Sequence, residues 1–71
     1  MTQAVTAAYE SVEAARNVVD ELIADGFDQE KVYLDRDTCQ VKVMTPDRGL
    51  REVEEILGRH RPRKLWSTHV H

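Results

Sequence analysis

The chain has 71 residues, a formal net charge of −3, 41% hydrophobic and 32% charged side chains, and one cysteine. That is the composition of a single small globular domain, residues 1–71, with a core near the lower limit of size, and it excludes an intrachain disulfide. No apolar run approaches the roughly 20 residues that cross a bilayer, and the start MTQAVTAAYESVEAAR lacks the basic and apolar regions of a secretory signal, so a cytoplasmic location is expected.

Residues 4–9, AVTAAY, alternate, with Val5, Ala7 and Tyr9 on one face and Ala4, Thr6 and Ala8 on the other, which predicts a strand. Ser11 is placed to cap a following helix, its hydroxyl accepting from a free backbone N–H. Val12, Ala15, Val18, Val19, Leu22 and Ile23 then recur at helical spacing over an arc of roughly 140°. Gly26 is the expected left-handed residue after the helix, and Phe27 is expected to fold back onto its last turn.

Lys31 to Asp35 reads as a second strand with Val32 and Leu34 inward, and Arg36-Asp37 as a tight turn. The third strand is expected over Thr38 to Met44. Cys39, Val41 and Val43 face the core there, with Cys39 a packed thiol, and Gln40, Lys42 and Met44 face away. Thr45-Pro46-Asp47 then opens a second helix, with threonine as cap and proline in the first turn. Its apolar stripe is Leu50, Val53, Ile56 and Leu57, and Gly58 and Pro62 bracket its end. Lys64 to Val70 supplies a fourth strand, with Trp66 and Val70 assigned to the core face and Ser67, His69 and His71 to the other. Strand, helix, strand, strand, helix, strand gives an α+β fold of the ferredoxin-like type, a four-stranded antiparallel sheet with two helices on one face.

Few residues point to chemistry. Ser67 and His69, two apart on a strand, stand roughly 6–7 Å from each other, too far for a nucleophile and its base. The region before the first helix, Ala8-Tyr9-Glu10-Ser11, has neither the C-x-x-C of a copper-carrying domain nor an arginine-bearing anion loop. The predicted central strands carry no stacking aromatics beyond Tyr9, which disfavours RNA binding. The net charge hides an asymmetry, −6 over residues 1–37 and +3 over residues 38–71. Most of the positive excess lies in Arg59, Arg61, Arg63 and Lys64, where an anion, an acidic partner or simply the negative pole of the second helix is the expected contact. His69 and His71 point the same way from a strand and could share a metal ion only with ligands from elsewhere, such as a second copy.

The run Ala7-Ala8-Tyr9-Glu10-Ser11-Val12-Glu13-Ala14-Ala15, then Val19-Asp20-Glu21-Leu22 and Ala24-Asp25-Gly26-Phe27, ending near Val32, resembles small bacterial general stress protein domains. The resemblance covers residues 4–34, about half the chain. It implies the fold, a bacterial origin and a stress context, with no catalytic residues to carry over.

These readings converge on a non-enzymatic interaction module without a cofactor. It is expected to form a homodimer through an edge strand or through the open sheet face, composed of Ala4, Thr6, Ala8, Gln40, Lys42, Ser67 and His69. The alternatives are a regulatory domain that binds a small molecule, resembling the ACT-type sensors, and metal binding through His69 and His71.

Overall fold

The computed structural model describes residues 2–70, and of residues 69 and 70 the backbone alone. The elements follow the expected order: β1 (Thr2–Ala8), α1 (Val12–Ala24), β2 (Val32–Asp35), β3 (Gln40–Pro46), α2 (Leu50–Arg59) and β4 (Lys64–Val70). The strands form one antiparallel sheet in the order β2-β3-β1-β4, and the fold is ferredoxin-like. Among the described residues no helix is long and apolar enough to cross a membrane.

Alternation on the central strands decides which sheet face the helices cover. Val5, Ala7, Val41 and Val43 are fully buried beneath Ala15, Val18 and Leu22 of α1 and Val53, Ile56 and Leu57 of α2. Each fully buried leucine or valine contributes about 1.5–3 kcal/mol of transfer free energy, so these few side chains carry much of the stability. Val32 and Leu34 of β2 pack at the margin of this cluster with Phe27 and Leu50.

The ends of α1 follow its local sequence. Ser11 Oγ accepts the Ala14 N–H at 3.1 Å. At the other end Gly26 adopts φ +104 and closes both bonds of a Schellman motif. Phe27 N donates to Leu22 O at 3.0 Å and Gly26 N to Ile23 O at 3.1 Å. The predicted stripe is right at its centre, although Ile23, at its rim, is 39% exposed.

The second half departs from expectation in three places. Thr45 and Pro46 end β3 instead of opening a helix, and a 3₁₀ turn, Asp47–Gly49, intervenes before α2. Thr45 caps nothing: its hydroxyl donates to the Pro46 carbonyl at 3.2 Å, and Gly49 precedes α2 with no side-chain cap. A Cβ at Gly49 would stand 2.6 Å from Thr45 Oγ1, so a larger residue there displaces that hydroxyl. The β2–β3 connection is also longer than two residues. Asp35 pairs with Gln40, and Asp35 Oδ1 accepts from the N–H groups of Asp37 and Thr38 at 3.0 and 3.3 Å. Cys39 therefore lies in the turn, half-buried and left-handed at φ +56, and is not the inward strand thiol expected.

The third departure is β4, whose face assignment is inverted. Val5 pairs with Ser67 and Ala7 with Leu65, so Leu65 and Ser67 lie on the helix side. Trp66 and Thr68 pair with Thr6 and Ala4 and lie on the open side. Leu65 and Trp66 are adjacent apolar residues, and a one-residue slip exchanges their faces. Arg63 N donating to Ala8 O sets the strand's entry, and Leu65 Cδ2 would stand 3.9 Å from a Cβ at Gly58 of α2. Leu65 and Trp66 are 38% and 41% exposed, so burial on this outer strand barely separates them.

Candidate functional site: the open sheet face

Both helices pack on one side, and among the described residues no element lies on the other face of the sheet. Strand register places its residues in cross-strand rows, because directly opposed residues of antiparallel strands project to the same side. The central row runs Tyr33, Lys42, Thr6, Trp66 from β2 to β4. Beside it run Asp35, Gln40, Ala8, Lys64 on one side and Met44, Ala4, Thr68 on the other.

Relief differs sharply among the strands. On β3 the long side chains of Gln40, Lys42 and Met44 stand up. On β1 the face is made of Ala4, Thr6 and Ala8, so it forms a low strip, and Ala4 and Thr6 are only 8% and 5% exposed between their taller neighbours. The outer strands carry the aromatics, Tyr33 at 53% and Trp66 at 41% exposure. With strands about 4.8 Å apart, the two rings rise from positions about 14 Å apart on one line. An open depression of about 490 Å³ lies along the β2–β3 half of this face, lined by Tyr33, Leu34, Asp35, Gln40, Lys42 and Met44.

Of the expected face residues, Ala4, Thr6, Ala8, Gln40 and Lys42 are where the alternation put them. Ser67 is a correction, since it lies on the helix side opposite Val5. His69 pairs with Gln3 along the backbone, while its side chain, like all of His71, lies outside the described residues. Among the described residues no group of three or more His, Cys, Asp or Glu side chains could hold a metal ion. Tyr33 and Trp66 join the face beyond the residues that alternation predicts. For Tyr33 the signal was present in the inward assignment of its neighbours Val32 and Leu34.

The basic run does not form one patch. Arg59 Nη1 lies 3.1 Å from Glu21 Oε2 and its Nη2 3.6 Å from Glu55 Oε1, while His60 Nε2 lies 3.0 Å from Glu21 Oε1. These residues tie the end of α2 to α1. Arg61 turns the chain at φ +56, and Lys64 joins the open face beside Ala8. The carboxylates they meet belong to an acidic seam between the helices, Glu21, Asp25, Glu52 and Glu55. There the hydrogen bond and negative charge of Asp25 hold the Glu52 carboxyl above the usual carboxylate range.

Under α2 sits a buried polar contact. The Tyr9 hydroxyl donates to the Leu57 carbonyl at 2.7 Å. Burial, and secondarily the charge of Glu21, push its pKa well above the ordinary tyrosine value. A phenol held neutral and hydrogen-bonded to backbone is a structural tie. No family model matches the chain, and neither a curated protein nor a solved structure is significantly similar to it.

Proposed function

We propose that this chain is a cytoplasmic, non-enzymatic interaction and oligomerisation module that works through the open face of its sheet and associates as a homodimer. The bacterial, stress-related setting implied by residues 4–34 belongs to the same proposal. The observation that carries it is the central row, in which two large aromatics stand exposed at both ends of a face that no described element covers. Tyrosine and tryptophan offer large contact area at low entropic cost and are enriched where proteins meet.

The area supports a modest affinity. The face measures about 20 by 20 Å, so a face-to-face contact covers about 800 Å² in total, the size of a weak, transient interface. Sedimentation velocity from micromolar to millimolar concentration tests this. The expected result is a mass that rises toward the dimer for wild type and stays monomeric for a Tyr33→Ser/Trp66→Ser variant. A wild type that remains monomeric throughout would sink the proposal.

The depression beside Tyr33, Asp35, Gln40 and Lys42 favours a second reading, a regulatory domain that binds a small polar molecule on the same face. Thermal denaturation in the presence of metabolites separates the two, since a bound ligand raises Tm with the logarithm of its concentration over Kd. If no compound raises Tm while the dimer is present, the second reading is removed.

A further inference from the structure

Resting on the homodimer reading, the register fixes how two copies meet: we propose that they pack face to face about a two-fold axis parallel to the strands and lying between β1 and β3. Such an axis reverses the strand order of the partner above each row. Strand β3 of one copy then covers β1 of the other, and β2 covers β4.

Under that reversal every row becomes its own complement. In the central row Lys42 stands over the other copy's Thr6, and Tyr33 over its Trp66. In the next row Gln40 stands over Ala8, and Asp35 over Lys64. In the third, Met44 stands over Ala4. Each long side chain of β3 thus descends on the low strip of β1, and the aromatic ends meet as a tyrosine–tryptophan pair. One pair of charges matches as well. Register places Asp35, Lys42 and Lys64 on the face, and the reversal brings each Asp35 carboxylate to a Lys64 ammonium, twice by symmetry.

The competing face-to-face arrangement has its two-fold axis across the strands. It sets β3 on β3 and β1 on β1, so long side chains collide over one strip and leave a gap over the other. The acidic seam between the helices lies on the far side of the sheet in either case, so the net charge of −3 does not accumulate at the contact. Aligned sheets pack about 10 Å apart with their strands about 30° from parallel, a rotation small enough to keep these partners in reach.

A charge cycle at Asp35 and Lys64 tests the arrangement. Asparagine at 35 keeps the oxygen that accepts from Asp37 and Thr38, so Asp35→Asn removes the charge without opening the turn. Lys64→Glu places two carboxylates together and is expected to weaken dimerisation about tenfold, Asp35→Asn about threefold. The double variant is expected to bind as well as Asp35→Asn alone, because the repulsion has lost one partner. The lone tryptophan gives an independent readout: Trp66 emission should shift to the blue as the protein concentrates, and less so in Tyr33→Ala.

A wild-type dimer whose Lys64→Glu and Asp35→Asn effects simply add overturns this axis and leaves the homodimer reading intact. A protein that stays monomeric, or whose Trp66 emission moves only on adding a small metabolite or a single-stranded oligonucleotide, overturns both.

Discussion

Helix α1, of 13 residues, and helix α2, of 10, bury similar stripes against the same sheet face, yet their ends are held by different parts of the chain. In α1 the cap is Ser11 and the stop is Gly26-Phe27, all immediate neighbours in sequence. In α2 the entry is an uncapped glycine, and the Leu57 carbonyl in its last turn takes its hydrogen bond from Tyr9, far away in the chain. Arg59 and His60 then tie that end to Glu21 of α1. The first helix is thus defined locally and the second by tertiary contacts.

Truncating the shared core is expected to have the largest effect and to ignore this distinction. Leu22→Ala and Leu57→Ala should each destabilise the protein by about 2–5 kcal/mol, read from urea denaturation, because both side chains are fully buried. A Leu57→Ala effect below about 1 kcal/mol would mean that α2 is not docked as described.

Tyr9→Phe comes next and addresses the tertiary end directly. It leaves the Leu57 carbonyl without its buried donor, a loss of about 1–2 kcal/mol. It should also change the alkaline limb of stability. A folded pKa above the unfolded value near 10 means that the unfolded chain releases the Tyr9 proton first. The stabilisation is fully present below pH 10 and declines as pH rises above it, by about 1.4 kcal/mol per pH unit. Denaturation midpoints from pH 8 to 11 should show that decline in wild type and a shallower one in Tyr9→Phe.

Ser11→Ala tests the local end and should cost about 1 kcal/mol. Helicity lost in that variant should come from the first turn of α1, visible as faster amide exchange there. The smallest expected effect is a gain. Arg61 occupies φ +56, a conformation glycine adopts without strain, so Arg61→Gly should add about 0.5–1 kcal/mol to stability. An unchanged or lower midpoint would show that the arginine side chain contributes more than its backbone strain removes.

The same contrast explains what the sequence could reveal. At Ser11 and Gly26-Phe27 the boundary is written in adjacent residues, and pattern and structure coincide. The helix-facing sides of β1 and β3 were legible for a similar reason, since Val5, Ala7, Val41 and Val43 alternate with residues of different size or polarity. Thr45-Pro46-Asp47 looks like a helix opening, but Thr45 pairs with Gln3 on β1 and the strand claims it. Cys39 fits an alternation that the four-residue turn interrupts. For β4 the pattern offers Leu65 and Trp66 in succession, and the choice between them is made by Gly58 on α2 and by Ala8 on β1. The open face inherits that ambiguity: alternation alone assigns Trp66 to the core face, and the register puts it on the open one.

The end of β1 has a kinetic consequence. Ala8 and Tyr9 receive bonds from or give bonds to three separate segments: Tyr9 N to Cys39 O, the Tyr9 hydroxyl to Leu57 O, and Arg63 N to Ala8 O. Two adjacent residues thus gather the hairpin turn, the end of α2 and the entry to β4. Each of those closures spans a long stretch of chain, so each must bear its loop entropy before any bond rewards it. This corner is therefore expected to assemble after the barrier to folding has been crossed. Tyr9→Phe should then steepen the loss of the native state, raising the unfolding rate about five- to thirtyfold in a chevron experiment, while the refolding rate stays nearly unchanged.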